Sequence, residues 1–435
     1  MAGDGRFTRW WRGGRNFVAS QLGRFASFTS FTTFATFGIT AEPARQGDAS
    51  VIRFGPTLKI VGVDPERGFA GGETQVLGLS LALIRAGHQA DLICDPDGVL
   101  WQRATAAGIT CFPLRIRNSI DAAAGLRLRS LLVGKGYDVV HFHTARAHAL
   151  APFARGQTAV AVVTRRMDYA PNRVFGPLLF NRAVDGVAAI SRAVADTLVQ
   201  AGVRKDRVAI IPSGVDCDRF RPPAAAARER ARIALGLTAR DIAVGTVGML
   251  EPRKGHRHLL EAMELLRDSG AAGAADAVGP RVRCFIAGAG SLSASLADEI
   301  RAQRMDESVS LMGLIGDSRN LLWALDIFAM PSLQEGLGVA ALEAMACGLP
   351  VIASSSGGLV DSVKDGVTGM HVPPGDARAL ADAIARMAAN AQLRSTMGAA
   401  GRERAVLNFA MESMARGTLA LYRACLQDRA RSRRG

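Results

Sequence analysis

The sequence predicts an α/β protein made of two doubly wound domains, each with a parallel sheet. Three observations predict it. Short apolar runs alternate with longer helical stretches, those runs are apolar almost without interruption, and the same rhythm restarts halfway along, after a Pro-, Ala- and Arg-rich segment. Strands apolar on both faces belong to parallel sheets covered by helices on both sides, and alternation of strand and helix builds a doubly wound layer. At 435 residues the chain is also longer than a single core usually supports.

The first series of strand candidates runs LKIVGV (58–63), ADLIC (90–94), ITCFPL (109–114), DVVHFH (138–143), AVAVVT (159–164), GVAAI (186–190) and VAIIP (208–212). The Gly-rich GFAGGE (68–73) follows the first of them and leads into a helix ending near Arg85. FRPPAAAARERAR (220–232) reads as a linker entering a helix. The second series is IAVGTVGML (242–250), RCFIAGAG (283–290), SVSLMG (308–313), DIFAMP (326–331) and LPVIAS (349–354). The expected division is an extension over 1–54, a first domain over 55–216, a second over 217–410, and a final helix with a basic tail over 411–435. Two such domains enclose a ligand between the carboxyl ends of their strands.

Composition narrows the function. Apolar residues are 49% and charged residues 21%, which excludes a disordered chain for the body. The net charge of +14 is spread as Arg along the whole length and suits nucleic acid, an anionic membrane surface or phosphorylated substrates. Only three Tyr occur and no basic stretch is interleaved with aromatics, which argues against nucleic acid. Six scattered Cys, none two or three apart, suggest neither a zinc site nor a redox pair and fit a reducing compartment. Between Met1 and Ser50 six Arg face three acids, and Phe recurs at every third position from Phe25 to Phe37. That spacing makes no clean amphipathic element, so a disordered extension is expected there, with a membrane-contacting arm as the second reading. No apolar run in the body reaches spanning length.

The chemistry concentrates in PSLQEGLGVAALEAMACGLPVIASSSGG (331–358). It reads as a buried strand ending at Pro331, a Gly-punctuated turn, and a helix with a Gly stop. The amides of Gly336, Leu337 and Gly338 then stand at the helix N-terminus, where unpaired N–H groups and the helix dipole bind phosphate. Glu335 lies in the turn and Glu343 inside the helix, and carboxylates accept hydrogen bonds from sugar and ribose hydroxyls.

This segment closely resembles the signature of the retaining glycosyltransferases of family 4, which have the GT-B fold of two Rossmann-like domains facing each other across a cleft. Two Glu with seven residues between them, an EGxG turn, LEAMAxGxPV, a following GG and KDGVTGMHVPPGD (364–376) carry the resemblance, which extends over nearly all of 57–425. It implies that Glu335 contacts the donor sugar, that Glu343 holds the ribose, and that the amides of Gly336 to Gly338 meet the sugar and diphosphate. VGMLEPRKGHRHLLEAM (247–263) implies the same family, with Lys254 neutralising the departing diphosphate. Met249 stands where the family usually has Arg, and Arg253 is the candidate replacement. Gly71 and Gly72 match a Gly-rich loop over the donor. In DVVHFHTARAHAL, His143 resembles the active-site His that positions the sugar, whereas His141 reads as a packed residue and no carboxylate accompanies the three His as a metal site would need. Arg165 and Arg166 read equally as acceptor contacts or as a surface cluster. IIPSGVD (210–216) resembles the interdomain hinge, and DPD (95–97) is discounted as a metal pair.

The expected activity is transfer of a sugar from a nucleotide-diphosphate sugar to a hydroxyl with retained configuration. Glu335, Lys254 and His143 would act at the reacting centre, with no metal and no resident cofactor. The expected acceptor is a glycan, either lipid-linked or a lipopolysaccharide core. The expected location is the cytoplasm, peripheral to the anionic inner face of the plasma membrane. The competing readings are a GT-B epimerase acting on the donor alone and a non-catalytic protein that binds sugar nucleotides.

Overall fold

The computed structural model describes residues 56–68, 70–118, 121–172, 175–269, 281–432 and 434. The expected extension over 1–54 lies outside them.

Thirteen strands are described, and they form two all-parallel sheets. The first contains β1 (Lys59–Asp64), β2 (Gln89–Cys94), β3 (Cys111–Pro113), β4 (Val139–Phe142), β5 (Val160–Arg165), β6 (Gly186–Ala189) and β7 (Val208–Ile210), in the order β3-β2-β1-β4-β5-β6-β7. The second contains β8 (Asp241–Val247), β9 (Arg281–Ala287), β10 (Val309–Gly313), β11 (Ile327–Met330), β12 (Val351–Ser354) and β13 (Gly369–Val372), in the order β10-β9-β8-β11-β12-β13. Most of the apolar runs become central strands, and β3, β7 and β10 stand at sheet edges. β4, β5, β6, β11 and β12 are buried at every position, as two covered faces require. β13 was not among the strand candidates: its GMHV is neither continuously apolar nor alternating, and pairing with β12 makes it a strand.

Both sheets reverse direction once, between β1 and β4 in the first and between β8 and β11 in the second. In open parallel sheets the connections diverge at such a point and leave a crevice at the strand carboxyl ends.

The chain passes from one sheet to the other around Gly214 and returns at Ala410. The two passages touch: Val215 N–H donates to Phe409 O at 2.7 Å and Met411 N–H to Val215 O at 3.2 Å. The final helix, Met411–Ser432, then packs on the first sheet. Its Met411, Met414, Tyr422 and Cys425 share a core with Leu58, Ile60, Val139 and Val162. Among the described residues no helix is long and apolar enough to cross a membrane.

Gln75, in the first helix (Gly71–Arg85), pins the crossing. Its amide donates to Gly214 O at 2.8 Å and accepts from Gly214 N–H at 2.7 Å. Replacing it with alanine leaves both backbone groups buried and unpaired, at about 1–3 kcal/mol each. Gln75→Ala should therefore lower the urea midpoint of the first lobe's unfolding transition by an amount matching about 2–4 kcal/mol. An unchanged midpoint would show that the crossing is held elsewhere.

Candidate active site

The second lobe builds its half of the site on the two strands that flank its switch point. β8 runs into a short turn, Pro252–Lys254, closed by Gly255 at φ +69°. A Cβ at Gly255 would lie 2.0 Å from Pro331 O, so glycine lets this turn rest on the segment leaving β11. Arg253 O then accepts from Leu333 N–H at 2.8 Å and Gln334 N–H at 3.2 Å. The two segments are thereby sewn together, and Lys254 Nζ donates to Glu335 Oε2 at 2.5 Å. The side chains are only 13% and 11% exposed.

The Glu335 turn is fixed from its other side by the loop after β12. Gly358 N–H donates to Glu335 O at 2.8 Å, and Ser356 Oγ donates to Leu333 O at 2.7 Å. A Cβ on Gly357 would stand 2.1 Å from Glu335 O, and one on Gly358 2.1 Å from Gly336 O. Gly338, at φ +84°, starts the helix Val339–Ala346. Among the described residues the amides of Gly336, Leu337 and Gly338 have no acceptor.

Glu343 lies one turn into that helix, near Arg219, Asp317 and Ser318. Burial pushes its carboxyl up to about 7; Arg219 opposes the shift and Asp317 adds to it.

The first lobe contributes the ends of three neighbouring strands. The registers Val63↔Phe142 and Phe142↔Val163 place Asp64, His143 and Thr164 on one rung at the carboxyl edge of β1, β4 and β5. Gly62 makes room for His143, since a Cβ there would sit 3.3 Å from the imidazole Nε2. Asp64 is fully buried; its Oδ1 accepts from Glu66 N–H at 3.1 Å and its Oδ2 has no partner among the described residues. Burial raises its carboxyl to about 7, with Glu73 adding to the shift and Arg166 opposing it. His143 is 5% exposed, its Nδ1 is likewise unpartnered, and burial holds the ring well below the usual imidazole range. Arg166 reaches into the same cluster, and burial lowers its guanidinium to about 10 against the pull of Asp64 and Glu73. Its Nη1 lies 3.4 Å from Ser213 Oγ.

Arg166 also joins the two halves. A Cβ on Gly336 would stand 2.5 Å from Arg166 O, so the Glu335 turn lies directly against the segment after β5. The structure thus brings Lys254, Glu335 and Gly336 to Gly338 together, with the His143 side of the first lobe across from them. Gly71 and Gly72 lie in the first turn of their helix, with open space at both Cβ positions, instead of in a closing loop. Arg253 is held by Glu251 at 3.0 Å, and Met249 is 46% exposed. The surface-cluster alternative for Arg165 and Arg166 fails: Arg165 is 5% exposed and donates to Tyr169 O at 2.8 Å, while Arg166 is half-buried and feels the charges of Asp64 and Glu73. β5 ends at Arg165, and Arg166 is the first residue beyond it.

Asp64, Glu73 and Arg166 belong to the site but were not singled out together from the sequence. A charged residue directly after each of two apolar runs was the available signal.

Comparison with known proteins follows the same two lobes. The family model of Glycosyltransferase Family 4 matches residues 69–219, and that of Glycosyl transferases group 1 matches 227–404. The chain is 32% identical over 298 residues to a D-inositol 3-phosphate glycosyltransferase of Saccharomonospora viridis, covering 62% of this chain and 66% of that protein. It is 29% identical over 416 residues to the enzyme of that name from Mycobacterium tuberculosis, covering 85% and 83%. Anabaena HepE, solved with UDP-glucose, superposes with a TM-score of 0.73 at 21% identity, over 84% of this chain and 100% of that one. A glycosyltransferase of Rickettsia africae gives 0.75 at 22%, over 86% and 99%. At these identities the two solved structures speak for the fold.

Asp64 and Glu343 also make stability depend on pH. Their folded values, about 7, lie above the ordinary 3.8 and 4.5. The native state therefore holds the extra protons, and stability present at low pH is lost as pH rises through 7. Each group contributes at most roughly 3–4 kcal/mol. Asp64→Asn and Glu343→Gln should each flatten the fall in denaturation midpoint between about pH 4 and 7. A wild-type slope in both variants would contradict this assignment.

Proposed function

The chain belongs to the family 4, group 1 glycosyltransferases of the GT-B fold, and on that premise we propose that it transfers a sugar from a nucleotide-diphosphate donor to a hydroxyl acceptor with retained configuration. The observation that carries this reading is the buried Lys254–Glu335 pair beside three unpaired amides. An ammonium and a helix N-terminus form an anion site. A diphosphate entering it competes for Lys254 and frees the Glu335 carboxylate to accept hydrogen bonds from the donor's sugar hydroxyls.

In the proposed reaction the acceptor oxygen bonds to the anomeric carbon on the face the diphosphate leaves. The electron pair of the breaking C–O bond stays with the diphosphate, which also receives the acceptor proton. Negative charge grows on the leaving group, where Lys254 and the amides of Gly336 to Gly338 stabilise it. His143 offers its unpartnered Nδ1 to a hydroxyl of the transferred sugar, and Glu343 takes the ribose. Arg253, bound by Glu251, plays no direct part in this scheme.

UDP-glucose is the donor to test first, because the HepE structure contains it. For the acceptor, the relatives' names point to D-inositol 3-phosphate. The charge of +14 supports a glycan carried by a lipid at an anionic cytoplasmic leaflet.

A donor at a hundred times its Kd should stabilise the protein by about 2.7 kcal/mol, visible as a rise in Tm. Lys254→Ala should abolish that rise and reduce transfer by about 10²–10³-fold while the protein stays folded. Transfer at the wild-type rate in Lys254→Ala or Glu335→Ala would refute the roles given to them.

A further inference from the structure

Three imidazoles, His141, His143 and His148, are buried beneath the first lobe's half of the site. Their surroundings differ. His148 Nε2 is 3.0 Å from Thr164 O. His141 is engaged at both nitrogens: Nδ1 lies 2.6 Å from Tyr422 Oη, and Nε2 lies 2.7 Å from Thr164 Oγ1. His143 is the one of the three left with a buried nitrogen that has no partner among the described residues.

His141 and His143 are stacked, with ring centroids 4.0 Å apart and planes tilted by 38°. Tyr422 meets His141 edge-on at 5.6 Å and 89°. Tyr422 has no exposed surface and comes from the C-terminal helix, 281 residues further along the chain than His141. Burial keeps His141 and His143 neutral, with the Arg166 guanidinium reinforcing this. A neutral imidazole donates from one nitrogen and accepts at the other. The two hydroxyls that bracket His141 can each donate or accept, so they satisfy either tautomer, and together they hold the plane of its ring. That plane is the surface against which His143 lies.

We propose that Tyr422 is a positioning residue for sugar transfer: through the His141 imidazole it sets the orientation of His143 and so directs the free His143 Nδ1 toward the transferred sugar. The assignment rests on the transfer reading above, but the coupling between the rings does not. A residue that only filled the core would be replaced without loss by phenylalanine, which keeps the ring and removes the hydroxyl alone. Once the hydroxyl is gone, His141 Nδ1 has no partner in a buried site, and the ring can change tautomer or rotate.

The test is Tyr422→Phe in the full chain, with ¹⁵N-labelled histidine. The variant should remain folded and bind UDP like the wild type, because the diphosphate site belongs to the second lobe. The ring nitrogens of both His141 and His143 should shift or broaden. With UDP-glucose, kcat should fall about ten- to a hundredfold at unchanged donor KM, as expected for a misplaced contact to the reacting sugar. His143 ring resonances identical to wild type would overturn the proposal, and so would unaltered kcat alongside shifted resonances. If wild-type protein gives neither transfer nor stabilisation with any nucleotide sugar, the transfer reading fails instead, and the His143 resonances still decide whether Tyr422 orients that ring.

Discussion

A lysine and a glutamate that are both nearly buried must stay together, and the architecture of the second lobe follows from that constraint. Separating them would strand a charge in a poorly solvated place, at a cost of several kcal/mol. The chain holds them by setting β8 beside β11 and by letting backbones approach closer than any side chain allows. Gly255 presses on Pro331 O, Gly357 on Glu335 O and Gly358 on Gly336 O. Three segments far apart in sequence thus converge on one turn. The unpaired amides of that turn, like the ion pair, leave a polar deficit that an anionic group can fill.

The two lobes present different electrostatics to the cleft. The second offers Lys254 and helix-terminal amides, a positive end suited to a diphosphate. The first offers neutral imidazoles and a cluster in which Asp64 and Glu73 offset Arg166. Such a balanced cluster suits hydroxyl groups, which both donate and accept, better than a second anion. The polarity of the cleft is therefore arranged along the direction in which charge would move as a sugar leaves its diphosphate.

Most of the architecture could be read from the chain because parallel strands buried on both faces leave a strong signal. Twelve of the thirteen described strands coincide with apolar runs, and β13 escapes because GMHV lacks one. Glu335, Lys254 and the 336–338 turn were legible because a local motif carries them. Asp64 and Glu73 were not, and for Arg166 a surface cluster was an equal alternative, because what unites the three is the placement of β1 beside β4 and β5. Strand order is a property of the sheet, and no window of sequence displays it. The unpaired atoms of Asp64 and His143 were equally invisible, since a missing partner is apparent only after every neighbour has been placed.

The C-terminal helix shows the same limit. From the sequence it is a final helix with a basic tail, set apart from both domains. In the structure it crosses back at Ala410, and Met411 meets the backbone of Gly214, which Gln75 also grips. Its inner face then completes the core of the first lobe, where Tyr422 reaches His141. Any rotation of one lobe on the other must pass through the two chain passages at 214–216 and 409–411. One of these continues directly into the helix that braces the imidazoles. A segment with no motif of its own is thereby tied both to the opening of the cleft and to the order of the groups inside it.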